Sequence, residues 1–174
     1  MDQTVTNVIK TINALTNNTK DSYLVPTLGG APIACRFKTW TGATKEDIQS
    51  LQQFDLPDDL IDFLLVTNGL DLFNMQTEYG PLTWAHVLSC QEIIENYLLM
   101  KKIGFAGGEA GESVGVIHLT DIGMININIG RLKAGQHYLS YPGERGNEYF
   151  NFTFADWLHR YIVCGGSEFW NLLY

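Results

Sequence analysis

Residues Met124–Ile129 alternate without a break: Ile125, Ile127 and Ile129 fall on one side of an extended chain, Asn126 and Asn128 on the other. Side chains of a strand repeat every two residues, so this segment reads as a half-buried strand with one polar face. Its neighbours read the same way. Val114–Leu119 is a short apolar run, His137–Tyr141 a further strand and Tyr149–Phe152 another, with Pro142–Asn147 as a turn. The seven residues Gly130–Gln136 suit an antiparallel connection.

Helical spacing dominates before and after these strands. Val5, Val8, Ile9, Ile12 and Leu15 recur every three or four residues. Thr44 is an N-cap with Asp47 three residues on, and Ile48, Leu51 and Phe54 follow, predicting a helix over 44–54. Pro57 suits the first position of a helix over 57–67, Asp58 and Asp59 suit its positive end, and Asn68-Gly69 suits a left-handed stop. Ser89-Cys90-Gln91-Glu92 is a capping box for a helix over 89–102, closed by Gly104. Thr153 with Asp156 opens the last helix, 153–163, which Gly165-Gly166 ends. The apolar tail Phe169–Tyr174 is expected to dock on the core. Between the first two helices, Pro26, Gly29, Gly30 and Pro32 mark a loop, with a short strand at Cys35–Thr39. Helices, then consecutive strands, then a helix predict an α+β fold with a mainly antiparallel sheet flanked by helices.

A chain of 174 residues predicts one domain with one sizeable core. Apolar residues make up 45% and charged residues 17%, which fits neither a disordered chain nor a membrane protein. No apolar run reaches the roughly 20 residues of a membrane span. Met1-Asp2-Gln3-Thr4 shows no positive region leading into an apolar stretch, so a cytoplasmic location is expected. Cys35, Cys90 and Cys164 stand far apart and are expected as reduced, buried thiols.

Charge carries the first functional hint. The net charge is −8, and it is uneven: residues 44–130 hold three basic and thirteen acidic side chains. Phosphate neutralisation needs clustered Lys and Arg, so nucleic-acid binding is not expected. An acidic middle suits either solubility or the steering of a basic partner. Asp71 and Glu78, read as flanking a loop after Gly69, and Glu109 and Glu112, in the glycine-rich stretch 104–115, are the candidate partner-binding residues.

Signs of catalysis are thin. Gly111-Glu112-Ser113-Val114-Gly115 fits the nucleophile elbow of serine hydrolases, but that elbow needs a strand before the serine and a helix after it. Here a glycine-rich stretch precedes Ser113 and a strand follows. His86, His118, His137 and His159 lack the spacing of a metal pair. Gly107-Gly108 with Gly111 is neither a phosphate loop nor a dinucleotide fingerprint. Asp58, Asp59 and Asp62 share one helix face, which reads as a solvated face rather than a metal site. The expectation is therefore no catalytic residue, no cofactor and no metal.

The segments Leu56–Gly69, Ile127–Gly130, Tyr138–Tyr141 and Phe152–Leu158 stand in an order that resembles the SUKH superfamily (Smi/Knr-like). Leu56-Pro57-Asp58-Asp59-Leu60-Ile61-Asp62-Phe63-Leu64 closing on Thr67-Asn68-Gly69 is similar to its leucine–proline helix signature. Ile127-Asn128-Ile129-Gly130, Tyr138-Leu139-Ser140-Tyr141 and Phe152-Thr153-Phe154-Ala155-Asp156-Trp157-Leu158 are similar to its closing strands and helix. The resemblance spans about 44–163. It implies an α+β domain without fixed catalytic residues. It implies a bacterial immunity protein that binds and neutralises a cognate toxin, a basic nuclease being one such toxin. Fungal members of the family act as interaction scaffolds or regulators, which is the alternative. A serine hydrolase using Ser113 is the other alternative.

Overall fold

The structure, a computed structural model, describes residues 3–17, 20–26, 30–103, 113–143 and 146–172. Among these residues six helices and eight strands run in the order α1 (Gln3–Thr16), β1 (Tyr23–Val25), β2 (Ile33–Thr39), α2 (Lys45–Leu51), α3 (Asp58–Val66), β3 (Leu70–Thr77), β4 (Gly80–Val87), α4 (Cys90–Lys102), β5 (Ser113–Leu119), β6 (Gly123–Asn128), α5 (Ile129–Lys133), β7 (Leu139–Gly143), β8 (Gly146–Tyr149) and α6 (Phe154–Val163). Short 3₁₀ turns follow α2 at Gln52–Phe54 and α6 at Phe169–Leu172. All eight strands form one sheet in chain order, and every pair is antiparallel. The fold is α+β, as the element order predicts.

Three of the helices begin where their caps predict. Thr44 with Asp47 and Ser89 with Glu92 form complete capping boxes, and Thr153 accepts from the Asp156 amide. Pro57 stands one position earlier than expected, as the extended cap of α3. That helix also stops differently: Thr67 turns extended, and the Asn68 side chain accepts from the Cys90 amide at 2.9 Å, tying the exit of α3 to the start of α4. Asp59 is buried rather than solvated. Its carboxylate accepts from the Ala155 amide at 2.9 Å, so a residue of α3 caps α6, 96 positions away.

Residues 70–87 are a long hairpin, not a loop. Leu70 pairs with Val87 and Thr77 with Gly80, so Asp71 lies inside a strand. Phe73, buried at φ 55°, breaks the alternation that would have marked β3. Three further expectations shift. Ile129 opens α5 instead of ending β6, because the buried Asn128 side chain caps that helix by accepting from the Arg131 amide. Strand β8 ends at Tyr149, and Phe150 turns into the core beside Trp157 and Trp170. Cys164 is exposed, while Cys35 and Cys90 are buried.

The core lies between the sheet and the helices. Leu70, Leu72, Ala85, Val87, Ile117, Leu119, Ile125 and Ile127 supply its sheet side, and Val5, Val8, Ile12, Leu60, Phe63, Leu64, Phe154, Trp157 and Leu158 its helix side. The start of the tail docks as expected, with Phe169 and Trp170 buried against Trp157, while Leu173 and Tyr174 lie outside the described residues. Helical connections α2–α3, α4 and α5 all sit at one end of the sheet, since they link β2 to β3, β4 to β5 and β6 to β7. The tight turns after β3 and β5 sit at the other, hairpin end. No helix among the described residues is long and apolar enough to cross a membrane.

Candidate functional site

Partners directly across an antiparallel pair share a face. The register therefore aligns Lys38, Asp71, His86, His118 and Met124 in one row across β2 to β6, on the face opposite the core residues Leu72, Ala85 and Leu119. His86 is the centre of this row. Its Nδ1 lies 2.6 Å from Asp71 Oδ1, and its Nε2 lies 3.0 Å from Glu92 Oε2. The same Glu92 oxygen accepts from the Ser89 amide at 2.8 Å and the Ser89 hydroxyl at 2.7 Å. The capping box of α4 thus doubles as a binding partner for the imidazole. Trp40 presents its ring to His86 at 6.0 Å, and Lys38 Nζ stands 4.5 Å over Trp40. A depression of about 430 Å³ opens beside them, lined by Trp40, Asn68, His86, Gln91 and Glu92.

Two carboxylates flanking one ring favour its doubly protonated form. The bond to Asp71 is the main reason the His86 pKa is raised, against burial, with Glu92 adding to the rise. Burial pushes Glu92 upward, but the Ser89 bonds and His86 outweigh it and hold this carboxyl below its ordinary range. Both ring nitrogens face carboxylates, so neither is placed to take a proton from a nucleophile. The arrangement works as a clasp between β3, β4 and the start of α4.

A pH dependence follows from this clasp. A histidine with a raised folded-state pKa stabilises the fold below its ordinary pKa of about 6.5, and that contribution is lost as pH rises through the folded value. Asp71→Asn removes the main cause. Urea unfolding is expected to show the variant weaker than the parent by about 1 kcal/mol at pH 5.5, with a smaller gap at pH 9. Equal gaps at both pH values would show that His86 does not act through its charge.

The candidate residues from the sequence do not form one surface. Asp71 is half-buried and committed to His86. Glu78 is exposed in the hairpin turn, about 20 Å along the strand from Asp71 at roughly 3.3 Å per residue. Glu109 and Glu112 lie outside the described residues. Ser113 opens β5 opposite Asn128 and leads into a strand, not a helix. His118 and His137 are exposed, and His159 is on α6. No group of three or more metal-ligating side chains occurs among the described residues.

Most carboxylates of the described residues have local structural tasks. Asp47, Glu92 and Asp59 cap helices, and Glu46, Asp58 and Asp156 occupy first turns. Asp55 pairs with Lys133 at 2.8 Å, Glu95 accepts from Gln91, and Glu148 accepts from Tyr141. Glu78, Asp121 and Glu168, like Asp21 after α1, are exposed, cap no helix and have no cationic partner among the described residues; Glu168 accepts from the Asn171 amide group at 2.7 Å. Glu78 and Asp121 occupy the tight turns after β3 and β5, while Glu168 follows the end of α6. The turn carrying Asp121 is pinned to β4, because the Thr120 amide and hydroxyl donate to the carbonyls of Trp84 and Thr83. Tyr79, 93% exposed, projects beside Glu78. Asp121 and Glu168 were not singled out by the sequence, where nothing separates an idle turn carboxylate from a capping one.

No family model, no curated protein and no solved structure matches the chain.

Proposed function

We propose that this chain is a non-enzymatic binding protein, an immunity protein of SUKH-like build that captures and neutralises a basic protein toxin. The observation that carries this reading is the set of three exposed carboxylates, Glu78, Asp121 and Glu168, with no cation beside them among the described residues, Glu78 being followed by the exposed Tyr79. Like charges at a surface repel one another, and no cation among the described residues offsets these three. A basic partner turns that repulsion into attraction, chiefly as a faster encounter. A nuclease toxin is such a partner, since it must be basic to hold phosphates. Asp71 leaves the proposed surface because its carboxylate is occupied by His86.

The test is capture of the protein encoded by the adjacent reading frame. The unmodified chain is expected to bind it and to protect cells expressing it. Reversal to lysine at Glu78, Asp121 and Glu168 together is expected to slow association at least tenfold at low salt and to flatten its salt dependence. Unchanged kinetics across a salt series would remove these carboxylates from the interface. Capture of a partner that harms no cell would favour the scaffold reading.

A further inference from the structure

A pocket of about 300 Å³ opens between β4, the β5–β6 turn and the segment after α6. Its walls include the rings of Trp84 and Tyr161, and its rim carries Asp121 and Glu168. Phe73 packs beneath both rings, 5.8 Å from Trp84 and 5.7 Å from Tyr161. The rim is built by backbone constraints. Gly165 and Gly166 leave α6 at φ 66° and 80°, and a Cβ on Gly166 would lie 2.8 Å from the Trp84 ring. Only glycine lets the chain pass this close, and the passage brings Glu168 to the pocket mouth. The Gly166 amide donates to the Tyr161 carbonyl, so the carbonyl end of α6, the negative end of its dipole, lies at the same place.

Two carboxylates and a helix C-terminus favour a cation, the half-buried Trp84 adds an aromatic surface, and among the described residues no basic side chain lines the pocket. Tyr161 is almost fully buried. Burial raises its hydroxyl pKa well above the usual range, and the nearby charges of Glu168 and Asp121 raise it further, so the carboxylates act on the pocket wall rather than only on solvent. Carboxylates beside rings suit a guanidinium better than an ammonium. Its flat fork meets a carboxylate with two parallel hydrogen bonds, and its face can lie on a ring.

We propose that this pocket receives an arginine side chain of the basic partner, as the anchor of the interface. The inference rests on the binding-protein reading above and assigns it a specific contact. A guanidinium here would neutralise Asp121 and Glu168 while its stem covers Trp84.

The test needs no partner protein. The full chain is titrated with N-acetyl-arginine methylamide while the indole N–H resonance of Trp84 is followed by NMR. The neutral isostere N-acetyl-citrulline methylamide and free L-arginine are run in parallel. The arginine amide is expected to shift the Trp84 resonance saturably in the millimolar range, and the citrulline amide to leave it in place. Asp121→Asn with Glu168→Gln, both at exposed positions, is expected to weaken binding at least about fivefold while other indole resonances stay put. Equal shifts from the citrulline amide, or an unchanged affinity in the double variant, would overturn the site. Free L-arginine binding more than tenfold tighter than its capped amide would overturn the partner side chain as occupant. Because the partner is absent, failure here leaves the capture experiment to judge the binding-protein reading separately.

Discussion

Trp157→Ala is expected to lose about 4 kcal/mol of unfolding free energy, the middle of the range for removing a buried aromatic side chain. Trp157 is fully buried on α6. Its ring stacks on Tyr161 at 5.0 Å, approaches Trp170 at 5.7 Å and Phe150 at 6.2 Å, and faces Phe169. These neighbours come from α6, the segment after β8 and the tail, so no single element can collapse into the vacated space. Trp157→Phe is the informative companion. The Trp157 indole N–H is buried without a hydrogen-bond partner among the described residues, so the smaller ring sheds an unsatisfied donor while it leaves a small gap. The two effects oppose each other, and the loss is expected to stay below about 1.5 kcal/mol. Urea unfolding of both variants checks the pair. A Phe variant as weak as the Ala variant would mean that the indole makes a contact beyond packing.

What the sequence revealed, and what it hid, divides by distance along the chain. The caps Thr44–Asp47, Ser89–Glu92 and Thr153–Asp156 are local devices, each complete within four residues, and they begin their helices as read. The alternation at Ile125 and Ile127 is equally local. The hairpin 70–87 was hidden because Phe73 takes a left-handed conformation and breaks the period, and because its turn, Glu78-Tyr79, carries no Asn-Gly signal. Asp59 reads as a solvated helix carboxylate until α6 is folded against it. His86 gains its two partners only through the β3–β4 register and the start of α4. Of the candidate site, Glu78 was legible as an exposed turn residue. Asp121 and Glu168, 47 positions apart in sequence, come to line one pocket only when the end of α6 reaches the β5–β6 turn.

Gly42→Ala should be the most damaging substitution of a small residue outside the regular elements, at about 3 kcal/mol or more. The segment Thr41–Ala43 runs along the exit of α3. The Asn68 amide donates to the Thr41 carbonyl at 3.1 Å, and the Ala43 amide donates to the Leu64 carbonyl at 2.8 Å. Gly42 lies between these two bonds. A Cβ there would stand 2.1 Å from the Leu65 carbonyl oxygen and 2.8 Å from its carbon. Both are backbone atoms of a helix whose other face is locked in the core by Leu60, Phe63 and Leu64, so nothing nearby can swing aside. Relief must come from separating the segment from α3, which weakens both hydrogen bonds. Its effect should reach the clasp as well, because Trp40 and Asn68 flank the same depression as His86. Gly123→Ala is the control. Gly123 sits at φ 106° in an open turn where the nearest atom to an added Cβ is a proline ring carbon at 3.6 Å, so that variant carries backbone strain without a clash. A loss of about 1–2 kcal/mol is expected there. If Gly42→Ala costs no more than Gly123→Ala, the close approach of Thr41–Ala43 to α3 is not what holds this corner together.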